Sequence, residues 1–285
     1  MITKAQFDNE IELIIANAIR EDVGDGDHSS LACIPKSATG KAKLLVKDEG
    51  ILAGVEFAKK VFQYVDSEME VEVIIEDGST IKYGDVAFYV SGSSQSILKA
   101  ERLVLNAMQR MSAIATKTNQ FVQLLEGTGT KILDTRKTTP GIRALEKWAV
   151  KIGGGVNHRF ALYDMIMLKD NHIDFAGGIT KAIEKTKKYL KDNDKDLKII
   201  VEARDLDEIK EILKTPGVYR ILIDNFNYED TRKAVELIGD TCLTESSGGI
   251  NEKTVRKYAE CGVDFISSGA LTHSVYNLDL SLKAV

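Results

Sequence analysis

Cysteine is scarce in this 285-residue chain, and its spacing is unsuited to pairing. Cys33, Cys242 and Cys261 are odd in number, lie far apart and form no C-x-x-C pair. Disulfide frameworks use even sets of cysteines, and structural zinc sites use closely spaced ligands. The sequence therefore predicts reduced thiols in a cytoplasmic protein, with neither a disulfide scaffold nor a zinc site.

Long apolar runs are also missing, since none approaches the roughly 20 residues that a membrane-spanning helix needs. The N-terminal segment "MITKAQFDNEIELIIANAIREDVG" places Asp8, Glu10 and Glu12 among its apolar residues. Acidic residues at these positions argue against a signal peptide. The apolar residues recur at the spacing of an amphipathic helix: Ile11, Ile14, Ile15, Ala18 and Ile19. We expect no membrane partner.

Net positive charge is the third absence, because 38 Lys and Arg face 43 Asp and Glu, for a net charge of -5. A protein that binds nucleic acid mainly through its backbone carries a net basic face, so nucleic acid is not the expected partner. Cations nevertheless gather in one stretch, "ILDTRKTTPGIRALEKWAVKIGGGVNHRF". Such a local cluster in an acidic chain predicts a small anionic ligand.

The chain changes character near residue 130. Before it, "KAKLLVKDEGILAGV" and "VEVIIEDGSTIKYGDVAFYV" predict strands joined by Gly-containing turns, and a long helix follows from about residue 97 to 125. After it, β-rich runs alternate with helices, which predicts a parallel sheet. We place an N-terminal domain at residues 1–129 and a second domain at residues 130–272. The last helix of the second domain and the tail, residues 273–285, are expected to pack with the first.

Six runs of the second half begin apolar and end polar: "KILDTRK", "MIMLKDN", "KIIVEAR", "RILIDNF", "TCLTESSG" and "DFISSGA". The carboxyl ends of parallel strands meet at one edge, where (β/α) barrels carry their active sites. A doubly wound sheet binds ligands only at its switch point, so six polar ends favour the barrel. Simple solvation of strand ends is the alternative explanation.

The last two runs end in "SSGG" and "SSGA". Glycine lets backbone N–H groups approach phosphate oxygens, and barrels often bind phosphate in the loops after their last two strands. These loops therefore predict a phosphate-bearing ligand, although plain tight turns would have the same composition.

The neighbouring strand ends carry the cations Arg136, Lys137 and Lys169, and His158 and Arg159 precede the second strand. These cations suit a ligand with several negative charges.

Two carboxylates, Glu202 and Asp224, stand on adjacent strands. They have three possible roles: binding magnesium together with phosphate oxygens, stabilising positive charge on a sugar, or forming a structural ion pair with Lys137 or Lys169. The sequence alone does not choose between these roles.

These residues lie in long strings that resemble the quinolinate phosphoribosyltransferases. The strings run almost end to end and include "REDVGDGDHSS", "GILAGVEFAKKVF", "AERLVLNAMQRMSAIAT", "DTRKTTPGIRALEKWAV", "GGGVNHRFALYDMIMLKDNHI", "LIDNF", "ESSGGI" and "GVDFISSGALTHS". The resemblance implies an N-terminal α/β sandwich domain and an incomplete (β/α) barrel. It implies an enzyme of NAD biosynthesis that joins quinolinate to phosphoribosyl pyrophosphate with magnesium and yields nicotinate mononucleotide, pyrophosphate and carbon dioxide. It also implies a homodimer with shared sites, and assembly beyond the dimer stays open.

The resemblance assigns roles to individual positions of this sequence. It implies that the quinolinate carboxylates are held by Arg136, His158, Arg159, Lys169 and, from the other subunit, Arg102. Thr135, Arg136 and Lys137 match a ligand-binding segment, with Lys137 reaching the pyrophosphate. Glu202 and Asp224 would lie beside the ribose and the metal and act in catalysis. The 5′-phosphate would be held by Ser247, Gly248, Gly249, Ser268, Gly269 and Ala270.

The sequence departs from the family pattern at a few positions. Ile200 stands where a second glutamate is usual, two residues before Glu202, and this puts the metal geometry in doubt. Ala161 replaces a common glycine, and His28 replaces an apolar residue. Three alternatives stay open: a related subfamily associated with molybdate transport, a barrel aldolase that forms a Schiff base through Lys169, and a phosphosugar sensor without turnover.

Overall fold

The computed structural model describes residues 2–285 and divides the chain into two compact units. The first, called the sheet unit, consists of Thr3–Asn119, Lys137–Gly154 and Leu271–Val285. The second, called the barrel unit, consists mainly of Gln120–Arg136 and Gly155–Ala270. The sequence predicts domain limits at residues 129 and 272, for segments that would fold separately. These limits stay a prediction.

In chain order the elements are α1 (Lys4–Val23), α2 (His28–Cys33), β1 (Thr39–Val46), β2 (Gly50–Ile51), α3 (Val55–Val65), β3 (Glu70–Val73), β4 (Thr80–Ile81), β5 (Val86–Ser93), α4 (Ser94–Leu124), β6 (Lys131–Leu133), α5 (Arg143–Ile152), β7 (Ile166–Leu168), α6 (Asp170–Ala176), α7 (Ile179–Asp192), β8 (Ile199–Ala203), α8 (Leu206–Leu213), β9 (Arg220–Asp224), α9 (Tyr228–Ile238), β10 (Leu243–Ser247), α10 (Val255–Ala259), β11 (Phe265–Ser267), α11 (Ala270–His273) and β12 (Leu280–Ala284). Among residues 2–285, no helix combines the length and apolar content needed to cross a bilayer.

The sheet unit is built on a four-stranded antiparallel sheet with the order β12-β1-β5-β3. Its core contains the rings of Phe62 on α3 and Phe88 on β5, which meet edge to face at 5.9 Å. Helix α1 begins at a capping box formed by Thr3 and Gln6, in which each side chain accepts a hydrogen bond from the other residue's backbone N–H. The apolar stripe predicted for this helix is buried at Ile11, Ile14 and Ile15.

The barrel unit is built on six parallel strands with the order β6-β11-β10-β9-β8-β7. All six runs predicted as strands form these strands, and helices α7, α8, α9 and α10 provide the crossovers between them. The sheet remains open, with β6 and β7 at its two ends. The predicted fold class, an N-terminal α/β sheet domain followed by an incomplete (β/α) barrel, is confirmed.

Candidate active site

The candidate active site lies at the carboxyl edge of the six-stranded sheet. Because the strands are parallel and in register, the residues that end or follow them meet at this edge. The edge brings together most of the predicted site residues: Thr135, Arg136, Lys169, Glu202, Asp224, Ser247, Gly248, Gly249, Ser268, Gly269 and Ala270. The roles assigned to these residues stay predictions.

The register shows which strand residues share a face. Glu202, Leu222 and Glu245 are neighbours across β8, β9 and β10. Two residues closer to the edge, Asp224 pairs with Ser247. Neighbours in register point to the same side of a sheet, as do alternate residues along one strand. The carboxylates of Glu202, Asp224 and Glu245 therefore project from one face.

Ile200 occupies the position where the resemblance expects a second glutamate. It is fully buried and packs with Met165 and Leu222 in an apolar cluster. Ile200 shares a face with Glu202 because the two residues alternate along β8. The neighbour of Glu202 on this face of β8 is therefore an apolar side chain instead of a second carboxylate.

Lys169 and Glu202 form an ion pair at the junction of β7 and β8. Lys169 Nζ donates a hydrogen bond of 2.7 Å to Glu202 Oε2. The lysine side chain is 47% exposed, whereas the glutamate side chain is 9% exposed. The structural ion pair considered for Glu202 is therefore present, and its exposed cation can also meet a ligand. A lysine that forms a Schiff base needs an uncharged amine, and proteins provide one by placing the lysine in an apolar pocket or beside another cation. Lys169 lies beside a carboxylate instead.

Asn225 connects Asp224 to the loop that follows β10. Its Nδ2 donates to Asp224 Oδ2 at 2.6 Å, and its backbone N–H donates to the Ser247 carbonyl at 2.9 Å. Its φ of 59° lies in the left-handed region, which asparagine enters more readily than most residues. Gly248 packs so tightly here that a Cβ atom would overlap the Asn225 side chain. In the sequence, nothing distinguishes Asn225 from the other polar residues at the strand ends.

The two predicted phosphate loops differ in conformation. Gly248 and Gly249 have φ angles of 104° and 61°, so both use backbone conformations that side chains rarely adopt. In the other loop, Ser268 is buried, and its Oγ donates to the Ile250 carbonyl at 3.0 Å. The Ala270 N–H lies 3.4 Å from the same Oγ. The loops thus combine glycine conformations after β10 with a serine-anchored turn after β11.

Two aspartates fix the segment that carries His158 and Arg159. Asp134, directly after β6, accepts the His158 N–H at 2.8 Å. Asp164 accepts the N–H groups of Phe160 and Ala161, both at 2.8 Å. The segment is therefore held on both sides of Arg159.

Arg159 lies in this fixed segment with a largely buried side chain, and its Nη1 donates a hydrogen bond of 3.2 Å to the Met165 carbonyl. Burial lowers the pKa of the Arg159 guanidinium, and the charge of Arg136 lowers it further, whereas Asp164 opposes the change. Asp134, two residues before Arg136, is bonded to the segment that carries Arg159, so the two like charges lie in adjoining segments and repel each other. An anion placed between them would relieve that repulsion.

Glu245 on β10 is a fully buried carboxylate in the interior of the barrel unit. Its Oε2 lies 2.7 Å from Arg220 Nη1 and 3.2 Å from His158 Nε2. Burial by itself raises the pKa of the Glu245 carboxyl, but the contact with His158 and the charge of Arg220 outweigh it and lower the pKa to about 2. Glu245 therefore remains ionised inside the protein.

Two predicted site residues, Arg102 and Lys137, belong to the sheet unit. Arg102 lies exposed on α4. The backbone carbonyl of Lys137 accepts a hydrogen bond of 2.8 Å from Thr272 Oγ1. The loop that follows Lys137 is held by the fully buried Glu146, whose carboxylate accepts the Thr139 N–H at 3.0 Å and the Thr139 hydroxyl at 2.8 Å. The sequence gives no signal for this support, because Glu146 looks like an ordinary acid in the first turn of α5.

The acids at the edge fit a magnesium ion only in part. Residues 2–285 contain no group of three or more His, Cys, Asp or Glu side chains arranged to hold a metal. Magnesium is commonly held by one or two carboxylates together with substrate phosphates and water. Glu202 and Asp224 fit that pattern, because they supply two carboxylates beside the predicted phosphate loops.

Both parts of the chain match a single family of known proteins. The sequence matches the N-terminal domain of quinolinate phosphoribosyl transferase over residues 27–112 and its C-terminal domain over residues 114–283. It is 43% identical to a chloroplastic nicotinate-nucleotide pyrophosphorylase [carboxylating] of Arabidopsis thaliana, an alignment that covers 96% of this chain and 82% of that protein.

Bacterial proteins show the same similarity. A probable nicotinate-nucleotide pyrophosphorylase [carboxylating] of Bacillus subtilis is 37% identical, with 96% of this chain and 93% of that protein covered. The crystal structure of NadC from Streptococcus pyogenes superposes with a TM-score of 0.89 at 36% identity and covers 100% of this chain and 99% of that one. This chain belongs to the quinolinate phosphoribosyltransferase family.

Proposed function

We propose that this protein transfers the phosphoribosyl group of phosphoribosyl pyrophosphate to quinolinate and releases pyrophosphate and carbon dioxide, forming nicotinate mononucleotide for NAD biosynthesis. The observation that carries the proposal is the placement of Arg136 and Arg159 in adjoining segments at the edge of the sheet: Asp134, two residues before Arg136, accepts the N–H of His158, the neighbour of Arg159. Two cations that repel each other suit a dicarboxylate better than a ligand with one negative charge. Family membership supports the same reaction.

The pyridine dicarboxylate would lie against Arg136, Arg159 and the exposed ammonium of Lys169, with His158 in the same pocket. Arginine binds carboxylate through two parallel hydrogen bonds, whereas lysine acts as a movable point charge. In the free protein, Lys169 pairs with Glu202. We expect the ligand carboxylate to compete for this lysine and to leave Glu202 directed towards the ribose.

The phosphoribosyl group would be anchored by its 5′-phosphate in the loops after β10 and β11. Thr135 and Lys137 would contact the pyrophosphate end, and the ribose would then lie beside Glu202 and Asp224. As the bond from C1′ to pyrophosphate breaks, C1′ becomes positively charged and the pyridine nitrogen attacks it. The two carboxylates stabilise that charge more in the transition state than in the ground state.

Loss of carbon dioxide follows from the same attack. Once the ring nitrogen carries the ribosyl group it is positively charged, so it stabilises the electron pair left on C2 when the adjacent carboxylate departs. A proton then replaces the carboxylate. The second carboxylate stays on the ring, and Arg159 or Arg136 retains it as the product forms.

Magnesium is part of the proposal, with Glu202 and Asp224 as its protein ligands, directly or through water. When bound, the ion neutralises charge on the departing pyrophosphate. A binding measurement separates this role from turnover: magnesium should tighten the binding of a non-reacting phosphoribosyl pyrophosphate analogue, and Asp224→Asn should weaken that effect. An analogue affinity that does not depend on magnesium would remove the metal from the account.

A homodimer that shares its sites through Arg102 also belongs to the proposal, as does a cytoplasmic location. The exposure of Arg102 on α4 supports the first, because an arginine in that position is accessible to a second subunit. The three free cysteines support the second, since reduced thiols are typical of the cytoplasm.

The direct test is product formation from quinolinate and phosphoribosyl pyrophosphate with magnesium, compared with nicotinate in place of quinolinate. Nicotinate should react poorly, because it lacks one carboxylate and leaves part of the cationic pocket unpaired, at a cost of about 1–3 kcal/mol for each buried group. Equal use of the two acids would contradict the dicarboxylate pocket. Binding of both substrates without turnover would instead favour a sensor or the subfamily associated with molybdate transport.

A further inference from the structure

The reaction described above assigns no part to Glu245, although this acid is fully buried in the barrel unit. Its side chain is fully enclosed, and the side chains of Arg220 and His158 beside it are 6% and 5% exposed. The Arg220 guanidinium also lies 4.1 Å from the centre of the Phe265 ring. A buried carboxylate and arginine usually need a reason beyond stability, because apolar residues of similar volume often stabilise a core as well.

The contacts of His158 suggest that reason. Its Nδ1 accepts the backbone N–H of Arg159 at 2.6 Å. An imidazole nitrogen that accepts a hydrogen bond carries no proton, so the proton of the neutral ring must be on Nε2. Nε2 is the atom that faces Glu245 at 3.2 Å. At this distance the charge of Glu245 attracts a proton on Nε2, although the contact is electrostatic and not a well-aligned hydrogen bond. The two contacts together favour the tautomer with its proton on Nε2.

The same contacts place Arg159. Its N–H is held by the His158 ring, and the neighbouring backbone is held by Asp134 and Asp164. A change of the His158 tautomer would put a proton on Nδ1, and that proton would collide with the Arg159 N–H. The orientation of the backbone at Arg159 therefore depends on the carboxylate at the far side of the ring.

We propose that Glu245 is a positioning residue: its carboxylate, 3.2 Å from Nε2 of His158, favours the Nε2–H tautomer and thereby fixes the turn that presents Arg159 to a carboxylate of the pyridine substrate. The proposal rests on the proposed function and assigns His158 an orienting role within the dicarboxylate pocket. Carboxylates that orient histidines in this way are common behind metal ligands and catalytic bases. Arg220 keeps Glu245 ionised and is the first residue in the series of contacts that runs through Glu245 and His158 to Arg159.

The first test needs no variant. The chain has four histidines, and His158 is the buried one, while His28, His172 and His273 are exposed. Nitrogen-15 NMR of imidazole-labelled protein near neutral pH should show one neutral ring with its proton on Nε2, assigned by its loss in His158→Asn. A His158 signal of the Nδ1–H tautomer, or of a doubly protonated ring, overturns the proposal.

The second test separates positioning from stability. The double variant Glu245→Gln/Arg220→Met leaves no unpaired charge in the core, but its amide can present either oxygen or nitrogen to His158. We expect a mixture of tautomers and a KM for quinolinate raised on the order of tenfold, with the KM for phosphoribosyl pyrophosphate nearly unchanged. Glu229→Gln, which removes an exposed carboxylate from α9, is the matched control and should leave both KM values unchanged.

Wild-type turnover is measured first. Absence of any product from quinolinate refutes the proposed function and this proposal with it. Normal wild-type turnover, combined with an unchanged quinolinate KM in the double variant or an equal rise in both KM values, refutes only the positioning role. A single Nε2–H tautomer in the double variant refutes it as well, because the ring would then be fixed without Glu245.

Discussion

Gly248 offers a sharp test of how the phosphate loop and the ribose carboxylate are joined. Its φ of 104° is strained for any side chain, and a Cβ atom would overlap Asn225 Oδ1 and lie 2.9 Å from Asn225 Cα. Gly248→Ala must therefore displace either the loop after β10 or the Asn225 side chain that bonds to Asp224. We expect damage to phosphoribosyl pyrophosphate binding and to catalysis together.

The size of the effect can be worked from two contributions. A side chain at a left-handed φ costs about 1–2 kcal/mol, and overpacking against a fixed neighbour typically costs a further 1–3 kcal/mol. The expected loss is therefore roughly 2–5 kcal/mol. Gly84→Ala isolates the first contribution, because Gly84 has a φ of 93° and open space at its Cβ position. It should lose about 1–2 kcal/mol of stability and keep its substrate affinities.

The assay is steady-state kinetics with both substrates, together with urea unfolding of each variant. We expect Gly248→Ala to raise the KM for phosphoribosyl pyrophosphate by at least about tenfold, which corresponds to 1.4 kcal/mol. Asn225→Gly in the same chain should restore part of that loss, because it removes the overlapping amide and suits a φ of 59°. Kinetics of Gly248→Ala equal to those of Gly84→Ala would refute the proposed coupling between the loop and Asp224.

Three further predictions follow from the same site. Glu202→Gln should lower kcat on the order of 10²- to 10³-fold without raising the KM for quinolinate, because Lys169 then has no carboxylate partner to give up, and Glu208→Gln on α8 should change neither; a near-normal kcat with weaker metal binding would make Glu202 a ligand only. Mixed Arg102→Ala and Lys169→Ala proteins should regain part of the activity in heterodimers, and subunit exchange without any recovery would exclude a shared site. Because its folded pKa is lowered to about 2, Glu245 should stabilise the fold by roughly 3 kcal/mol above pH 4.5, and this stability should be lost as the pH falls towards 2, measured as urea midpoints against pH with Glu245→Gln/Arg220→Met as reference.

The fold was largely predictable because its signals are local. Each barrel strand is a short apolar run closed by polar residues, and each crossover helix has its own apolar periodicity. Parallel order then follows from the alternation of strand and helix, and the shared edge follows from parallel order. The convergence of Lys169, Glu202 and Asp224 at one edge needed no knowledge beyond these patterns. Only the resemblance could assign a role to Arg102, which sequence pattern alone identifies as an exposed helix residue.

The supporting residues were not predictable, because their partners are distant in sequence. Glu245 was visible as one polar strand residue, but its contacts with Arg220 and His158 depend on the register of two strands and on a turn 87 positions earlier. The left-handed Asn225 depends on the close approach of Gly248. Local pattern reports which residues face inward, whereas these contacts require the assembled sheet.

In the proposed reaction, the cationic edge of the sheet receives a dicarboxylate that loses one carboxylate during phosphoribosyl transfer. The most direct measurement uses quinolinate labelled in the carboxylate next to the ring nitrogen, with phosphoribosyl pyrophosphate and magnesium. We predict that labelled carbon dioxide, pyrophosphate and nicotinate mononucleotide appear in equal amounts. Pyrophosphate release without labelled carbon dioxide, or no release of either product by protein that binds both substrates, would contradict the account.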